Sequence, residues 1–292
     1  MTDAPGPPTA EPPRLTVCYR HPDRAGGVGC QRCGRPICVQ CMVPASVGYQ
    51  CPECTHARPQ KVVSGRAAFG GGGADVVVGK VLVALNVALY ALTVVVGGST
   101  SARGAVYEHL VTFGPAVAAG EWWRLVTGGF MHATPLHLLM NMVLLWLLAK
   151  ELEPVLGHLS FGLLYAVSLL GGALGVMLMS PNDPTLGASG AVFGLMGALV
   201  VLQLRARQNP WRTGLGGLVL INLVLTFAIP GISVGGHVGG LLAGAAAGLI
   251  VVPRQTPETT VGIRHAFLAL TALGLGALAV VAAGVLAVGG WY

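Results

Sequence analysis

The sequence predicts an all-α membrane protein that crosses the bilayer several times and carries a small metal-binding domain ahead of its first span. Of its 292 residues, 53% are hydrophobic and only 10% are charged, whereas a soluble domain carries about 25% charged residues. Long apolar runs recur from residue 77 to the C-terminus. All seven cysteines lie ahead of these runs, between Cys18 and Cys54, and such clustering is typical of a separate module.

The segments on either side of the metal-binding domain are expected to be unstructured. Residues 1–14 are rich in proline and small polar residues, which cannot bury a core, and are predicted to be disordered. Residues 15–56 hold every cysteine and form the predicted zinc-binding domain. Residues 57–75 contain four consecutive glycines, Gly70 to Gly73, and are predicted to be a flexible linker.

Apolar runs of membrane-spanning length follow the linker. A spanning helix needs about 20 apolar residues, and we predict seven such helices. They lie near 77–97, 135–150, 159–179, 187–204, 213–229, 234–252 and 264–289. The first six belong to a predicted core domain over residues 76–254, and the last lies in an additional C-terminal segment, 255–292, with no visible chemistry.

The distribution of Lys and Arg predicts the orientation in the membrane. With the N-terminus in the cytoplasm, the outer segments hold only Arg103 and Arg124. The cytoplasmic segments then hold the basic residues ahead of Lys80 together with Lys80, Lys150, Arg205, Arg207, Arg212, Arg254 and Arg264. This excess favours a cytoplasmic N-terminus and an outer C-terminus. It also accounts for the net charge of +6 without nucleic acid as a partner.

The segment from 98 to 134 is long for a loop of a membrane protein. It contains apolar and aromatic residues, among them Phe113, Trp122 and Trp123. We expect this loop to lie against the outer leaflet or partly within it. The alternative is an ordinary extracellular loop.

Four pairs of metal-ligating residues occur in the N-terminal domain. They are Cys18-x2-His21, Cys30-x2-Cys33, Cys38-x2-Cys41 and Cys51-x2-Cys54. Two ligands separated by a short turn can reach one ion, and a structural zinc site takes four ligands, so these pairs predict two zinc ions. A reducing cytosol favours thiolates that bind metal over disulfides. A domain of roughly forty residues buries little core, so the metal is expected to stabilise its fold.

The order of these pairs resembles that of cross-brace zinc fingers of the B-box or RING type. The resemblance implies that the first and third pairs share one ion and that the second and fourth pairs share the other. His56 is an alternative ligand. Because both sites are fully ligated by protein, we expect a structural role, with the domain binding a protein partner or regulating the membrane domain.

Three places in the predicted spans carry polar groups that hydrocarbon disfavours, and an ionisable residue inside a membrane is a functional candidate. Ser189 opens the fourth helix, His237 opens the sixth, and His137 and Asn141 lie one turn apart on the second. Each also has a structural explanation. Serine is common where membrane helices touch, and a buried histidine or asparagine can simply form a structural hydrogen bond.

Depth and packing are expected to bring these groups together. With a cytoplasmic N-terminus, the second, fourth and sixth helices all start at the outer face, so His137, Ser189 and His237 share one depth. Small residues recur at every fourth position of helices four and six, as Gly190-Gly194-Ala198 and Gly236-Gly240-Gly244. Such stripes let two helices approach closely. Packing alone would explain the stripes, but together with the shared depth they predict a contact between Ser189 and His237.

The chemistry of such a contact is nucleophilic. A serine hydroxyl becomes an effective nucleophile when a base takes its proton, and His237 is the predicted base. No Asp or Glu occurs between Pro184 and Glu258, which predicts a dyad rather than a triad. The backbone N–H of Ser189 and the side chains of His137 and Asn141 would meet the tetrahedral oxyanion.

Taken in order, the motifs resemble those of the rhomboid intramembrane serine proteases. The resemblance covers residues 77–252. The matching residues are Trp123-Arg124, Phe130-Met131-His132, His137-x3-Asn141-Met142, Glu153 with Gly157, Gly187-x-Ser189-Gly190 and Gly236-His237-x-Gly239-Gly240. It implies a rhomboid protease domain of six helices, to which the zinc-binding domain and the seventh helix are additions.

The resemblance also implies an activity. Ser189 and His237 would cleave membrane-spanning protein substrates near the outer face, without a catalytic cofactor, and His137 and Asn141 would form the oxyanion site. No dinucleotide-binding or Walker-type loop occurs in the sequence, so no organic cofactor is expected either.

Further residues would support the site. Arg124 would stabilise the first loop. Gly187, Gly190 and Gly240 would give structural support, and the last two belong to the stripes of small residues that let the helices approach closely. Members of the family often have a tyrosine four residues after the nucleophile, where it stacks on the catalytic histidine. Here Phe193 occupies that position, so the ring can stack but the hydroxyl is lost.

Two other functions stay open. An inactive rhomboid-like protein would bind membrane clients without cutting them, although such relatives typically lack the serine or the histidine. A transporter regulated by the zinc-binding domain would carry polar residues along a transmembrane route, whereas here they gather near one face. We interpret the remaining polar residues, Asn86, Asn222 and Thr226, as partners in interhelical hydrogen bonds.

Overall fold

In the computed structural model, the chain divides into two compact units, Met1–Ala68 and Phe69–Tyr292. The structure describes residues 17–45, 48–57, 75–101, 104–251 and 259–290. The predicted disordered segment at 1–14 and nearly all of the predicted linker at 57–75 lie outside these residues.

The described part of the N-terminal unit contains two short hairpins, a 3-10 helix at Val39–Cys41 and one α-helix. Strand β1 (Val28–Gly29) pairs antiparallel with β2 (Pro36–Ile37), and β3 (Val43–Pro44) pairs antiparallel with β4 (Tyr49–Gln50). Helix α1 follows at Pro52–Ala57. Ile37 is the only aliphatic side chain fully buried in its described core, and the other buried members are cysteines. So small an apolar core cannot stabilise a domain by itself.

The second unit is mainly helical. Its helices are α2 (Val77–Gly97), α3 (Ala105–Leu110), α4 (Gly114–Ala118), α5 (Arg124–Thr127), α6 (Pro135–Leu156), α7 (His158–Met179), α8 (Ser189–Arg205), α9 (Leu215–Ala228), α10 (Val234–Val251) and α11 (Thr259–Val288). Each of the seven predicted spans coincides with one of the longer helices. The largest differences are at α6, which continues to Leu156, and at α11, which already begins at Thr259.

Fewer than seven helices are long enough to cross a membrane by themselves. Within the described residues, length and composition qualify α2, α7, α10 and α11, and the bent pair Arg124–Phe130 and Pro135–Leu156 qualifies as a fifth span. Helices α8 and α9 have 17 and 14 residues. At about 1.5 Å per residue they rise only about 25 and 21 Å, which is shorter than a hydrocarbon core of about 30 Å. These helices support an integral, multi-pass membrane protein, but the prediction of seven full-length spans was too high by this criterion.

Helix α10 packs against both α7 and α8 with almost no side chains between the backbones. A Cβ atom added to Gly190 of α8 would lie 3.0 Å from the carbonyl oxygen of Gly236 on α10, and one added to Gly172 of α7 would lie 2.9 Å from the same oxygen. Side chains larger than hydrogen would therefore separate the three helices. This contact is at the end of α8 and α10 where Ser189 and His237 lie.

The loop predicted over 98–134 folds into the short helices α3, α4 and α5. Val117 and Leu125 of this loop join a buried cluster with Val176 of α7 and with Ala279 and Ala283 of α11. The additional C-terminal helix therefore packs against both α7 and the loop. The expected position of the loop at the outer leaflet stays a prediction.

Candidate active site

Ser189 and His237 are in direct contact. The side-chain Oγ atom of Ser189 lies 2.7 Å from Nε2 of His237, which is within hydrogen-bonding distance. Ser189 is the first residue of α8, and His237 is in the first turn of α10. The close approach of these two helices places a hydroxyl on one and an imidazole on the other at the same level.

The second ring nitrogen of His237 has a partner that our sequence analysis did not assign to the site. Its Nδ1 atom lies 2.6 Å from Oγ1 of Thr226 on α9, and the Thr226 hydroxyl donates to the carbonyl oxygen of Asn222 at 2.7 Å. Thr226 does bridge two helices, as expected. The side-chain amide groups of Asn86 and Asn222 also donate hydrogen bonds within their own helices, to the carbonyl oxygens of Leu82 and Leu218.

Phe193 stacks on the imidazole ring of His237. The ring centroids are 4.2 Å apart and the ring planes differ by 20°. Phe193 is one turn after Ser189 on the buried face of α8, so the same helix supplies the hydroxyl and the ring that lies against its partner. The position of the His237 ring is thus fixed by Phe193 on one face and by Thr226 and Ser189 at its two nitrogen atoms.

His137 lies on the other side of the serine. The backbone N–H of Ala133 donates to Nδ1 of His137 at 3.4 Å, which leaves Nε2 as the N–H donor of the neutral ring. Gly187 separates this nitrogen from Ser189. A Cβ atom at Gly187 would lie 2.9 Å from Nε2 of His137 and 3.6 Å from Oγ of Ser189, and its φ of 125° is strained for any side chain.

Asn141 is one turn further along α6. It is buried, and its side-chain amide donates to the carbonyl oxygen of His137 at 2.9 Å. Asn141 lines a cavity of about 1150 Å³ together with His137, Ser189 and His237. The four residues that our sequence analysis selected from three helices therefore face one space. Asp183 also lines this cavity, but the two nitrogen atoms of His237 are occupied by Ser189 and Thr226.

The buried Arg124 binds three parts of the loop. Its guanidinium donates to the carboxylate of Glu121 at 2.6 Å and to the carbonyl oxygens of Glu108 and Val111 at 2.6 and 3.0 Å. All of these partners belong to the loop between α2 and α6, and none of them belongs to the Ser189–His237 pair. Its contacts are those of a residue that holds α3 and α5 together.

Glu153 is buried at the opposite end of α6. Its carboxylate accepts hydrogen bonds from the first backbone N–H groups of α2, at Val77, Val78 and Gly79, with distances of 2.8–2.9 Å. It also contacts Nδ1 of His158 at 2.6 Å. A carboxylate at a helix N-terminus stabilises that end, so Glu153 fixes the start of α2 and does not belong to the cavity.

His132, part of the matching motif, is buried beside His137 without joining the hydrogen bonds of the site. The two ring centroids are 5.1 Å apart. In the described part of the chain, neither ring nitrogen of His132 has a hydrogen-bond partner.

In the N-terminal unit, the predicted ligand pairs come together in two clusters. One contains Cys18, His21, Cys38 and Cys41, and the other contains Cys30, Cys33, Cys51 and Cys54, with the ligand atoms of each cluster within 4.8 Å of one another. Nδ1 of His21 is the nitrogen that faces the sulfur atoms, at 3.4–3.8 Å. Each cluster can hold a metal ion. The side chain of His56, the alternative ligand, lies outside what the structure describes.

The thiols within a cluster differ in acidity. Burial disfavours the thiolate of Cys18, but backbone hydrogen bonds from Arg20 and Cys38 outweigh it and lower its pKa to about 6. Burial and the neighbouring Cys18 raise the pKa of Cys41 to about 11. The thiolate of Cys18 disfavours ionisation of the neighbouring thiol of Cys41, and a divalent cation between the two sulfur atoms would remove that repulsion.

Comparison with known proteins finds one matching family and several similar proteins. Residues 119–254 match the family described as Rhomboid domain. The chain is 37% identical over 176 residues to Rhomboid protease GluP of Bacillus subtilis, which covers 57% of this chain and 34% of that protein. It is 45% identical over 89 residues to Putative rhomboid protease YdcA of the same organism, which covers 30% of this chain and 45% of that protein.

A plant relative is similar over a comparable length. RHOMBOID-like protein 6, mitochondrial, of Arabidopsis thaliana is 34% identical over 142 residues, which covers 47% of this chain and 46% of that protein. The chain spans about a third to a half of the length of these curated relatives. Together, the matches support the assignment of this chain to the rhomboid family of membrane proteases.

Proposed function

We propose that this protein is an intramembrane serine endopeptidase in which Ser189 is the nucleophile and His237 the general base. The observation that carries the proposal is the 2.7 Å distance between Oγ of Ser189 and Nε2 of His237. A candidate base must lie about 2.6–3.2 Å from the heavy atom that carries the proton it takes, and this pair meets that condition. The named rhomboid proteases among the relatives support the same reaction class.

The first step is acylation of the serine. His237 takes the hydroxyl proton at Nε2 while Oγ of Ser189 attacks the carbonyl carbon of the scissile peptide bond. The tetrahedral intermediate then collapses. The C–N bond breaks, and the leaving amine takes the proton from Nε2 of His237. A water molecule then attacks the acyl carbon and gives a proton to Nε2 of His237. The bond between that carbon and Oγ of Ser189 breaks, Oγ takes the proton back from His237, and the new carboxyl group is released.

The oxyanion forms between α6 and the start of α8. The backbone N–H of Ser189 has no carbonyl of its own helix to bind, because it lies in the first turn. Nε2–H of His137 and the side-chain amide of Asn141 are the other donors that line the same cavity. In comparable sites, one such donor contributes about 2.7–4 kcal/mol to the rate.

The substrate is expected to be the transmembrane segment of another protein, as the resemblance implied. The cavity is lined on one side by Met140 and Leu144 of α6 and on another by Leu225 and Ile229 at the end of α9, so its walls are apolar around a few polar groups. An apolar segment partly drawn from the bilayer suits such walls. With the N-terminus in the cytoplasm, the site lies near the outer face.

The orientation can be tested on intact cells. The excess of Lys and Arg predicts that an externally added protease removes a tag from the C-terminus and spares a tag at the N-terminus. Removal of the N-terminal tag alone would refute both the orientation and the placement of the site near the outer face.

We also propose that each Cys/His cluster binds one structural zinc ion. A tetrahedral site with Zn–S near 2.3 Å and Zn–N near 2.0 Å places its ligand atoms about 3.5–3.8 Å apart. Sγ of Cys33 and Sγ of Cys51 are 3.8 Å apart, and Nδ1 of His21 is 3.4 Å from the sulfur atoms of Cys38 and Cys41. The ion bound by Cys30, Cys33, Cys51 and Cys54 would link the loop of the first hairpin to the segment after the second, in a unit that has little apolar core.

A reporter with one transmembrane segment tests the proposed protease. The purified protein in detergent should cleave the reporter, and neither Ser189→Ala nor His237→Ala should do so. Cleavage that survives Ser189→Ala would exclude this nucleophile. An intact wild-type protein that binds the reporter without cleaving it would instead favour an inactive client-binding protein.

A further inference from the structure

We infer that Thr226 is a positioning residue that holds His237 in the tautomer needed for general-base catalysis, in the place that a carboxylate takes in a triad. The inference rests on the proposed function, because it concerns how the base is prepared. It assigns a role in the site to α9, which contributes neither the nucleophile nor the base.

The hydrogen bonds around Thr226 are consistent with one placement of the hydroxyl and imidazole protons. A threonine hydroxyl carries one proton, and that proton is donated to the carbonyl oxygen of Asn222 at 2.7 Å, since a carbonyl oxygen can only accept. Oγ1 of Thr226 therefore acts as the acceptor in its 2.6 Å contact with Nδ1 of His237. It follows that the proton of the neutral imidazole is on Nδ1.

This tautomer is the one that the reaction needs. With Nδ1 protonated, Nε2 carries the lone pair that accepts the proton of Ser189 across 2.7 Å. In the other tautomer, Nε2–H would donate to Ser189 and could not act as a base. In serine proteases with a triad, a buried carboxylate makes this choice by binding Nδ1–H.

A hydroxyl suits this environment better than a carboxylate would. An ionised carboxylate inside a membrane protein is costly unless it is fully paired, and no Asp or Glu occurs between Pro184 and Glu258. Thr226 is neutral, and its own hydroxyl proton is satisfied by the preceding turn of α9. It can therefore accept from His237 without burying a charge.

Burial marks Thr226 as exceptional on its helix. Within α9, only Leu215 at the start and Thr226 near the end are buried. Its neighbours Leu225 and Phe227 are 42% and 67% exposed, whereas Thr226 is 2% exposed. The one polar side chain that α9 buries is thus the one that reaches the imidazole.

The test compares two isosteric threonine-to-valine variants. Thr226→Val removes the acceptor while keeping the shape. Thr93→Val is the matched control, because Thr93 is also 2% exposed and donates to the carbonyl oxygen four residues earlier, Leu89, at 2.8 Å. It lies on α2 and has no histidine partner among its described contacts. Cleavage of the transmembrane reporter is measured for both variants and for Thr226→Ser, together with the melting temperature.

We expect Thr226→Val to lower kcat about ten- to hundredfold with little change in KM, since the loss affects the base and not substrate binding. Thr93→Val should keep the wild-type kcat, and Thr226→Ser should recover most of the loss because it restores the acceptor. Equal kcat values for Thr226→Val and Thr93→Val would overturn the inference. So would a loss of kcat in Thr226→Ser as large as in Thr226→Val.

Different results would refute the proposed protease and the proposed role of Thr226. If wild-type cleavage is absent or does not depend on Ser189, the proposed protease is wrong. If cleavage depends on Ser189 but Thr226→Val cleaves as fast as wild type, only the role of Thr226 is wrong. A fall in melting temperature that both valine variants share reports the loss of the hydrogen bond within the helix. A fall in kcat that only Thr226→Val shows reports the effect on His237.

Discussion

A methyl group at position 240 should push the nucleophile and the base apart without touching either of them. Gly240 is one turn below His237 on α10 and packs directly on the backbone of Gly190 in α8. A Cβ atom at Gly240 would overlap the carbonyl oxygen of Gly190 and would lie 2.7 Å from its carbonyl carbon and 3.1 Å from its Cα atom. The obstacle is backbone, which cannot move aside as a flexible side chain can.

The required movement can be estimated from these distances. Nonbonded carbon atoms are comfortable at about 3.5 Å, so the contact of 2.7 Å to the carbonyl carbon of Gly190 requires the helices to separate by about 0.8 Å. If that shift reaches the end of the helices, the Ser189–His237 distance grows from 2.7 Å to about 3.5 Å, beyond the range for proton transfer. Misplacement by about 1 Å can cost about 100-fold in rate. We therefore expect Gly240→Ala to lower kcat/KM about 30- to 100-fold.

The assay is cleavage of the transmembrane reporter by purified protein, with the melting temperature measured in parallel. Gly217→Ala on α9 is the control, because a Cβ atom there meets nothing within 4 Å. Overpacking typically costs about 1–3 kcal/mol of stability, so a moderate fall in melting temperature is expected for Gly240→Ala. Cleavage by folded Gly240→Ala at the rate of Gly217→Ala would refute the claim that the helix contact sets the distance between Ser189 and His237.

Three further predictions concern other parts of the account. Phe193→Ala removes the ring stacked on His237 and should lower kcat about tenfold, whereas a tyrosine at this position should keep the activity; equal rates for Phe193→Ala and wild type would contradict a role for the stacking. Asn141→Ala should lower kcat about 100-fold with little effect on KM, because its amide would bind the transition state; a rise in KM alone would remove it from the oxyanion site. Metal analysis of the full-length protein should find about two zinc ions per chain, and about one in Cys18→Ser or Cys51→Ser; two ions in either variant would contradict the ligand assignment.

The main helices could be predicted from the sequence because each is an apolar run bounded by polar or glycine-rich segments. The predicted span 159–179 corresponds to α7 at His158–Met179, and 234–252 corresponds to α10 at Val234–Val251. Whether a run crosses the bilayer is harder to predict, since it depends on the length of helix that forms. Helices α8 and α9 fall short in length although their sequences are apolar.

Part of the active site could also be predicted from the sequence. A serine and a histidine beside glycine stripes indicate both chemistry and close packing, so Ser189 and His237 could be selected together. Thr226 gives no such signal, because a threonine in an apolar helix usually bonds to its own backbone, as Thr93 does. Only the three-dimensional structure shows that the hydroxyl on α9 also faces Nδ1 of His237.

The loop over 98–134 shows a further limit of the sequence. Its short helices lack an extended periodic pattern, and they are held instead by long-range contacts. Arg124 links segments of this loop through two carbonyl groups and a carboxylate. A single arginine in a sequence does not indicate which carbonyl oxygens it will bind.

The most direct test of the central claim is covalent labelling of the serine itself. A fluorophosphonate probe, which reacts with activated serine hydroxyls, is incubated with the protein in detergent, and the modified peptide is identified by mass spectrometry. We expect an adduct on Ser189 that is absent in Ser189→Ala and forms at least about 100-fold more slowly in His237→Ala. An adduct on another serine, or equal labelling of Ser189 in wild type and His237→Ala, would contradict the role of Ser189 as a nucleophile that His237 activates.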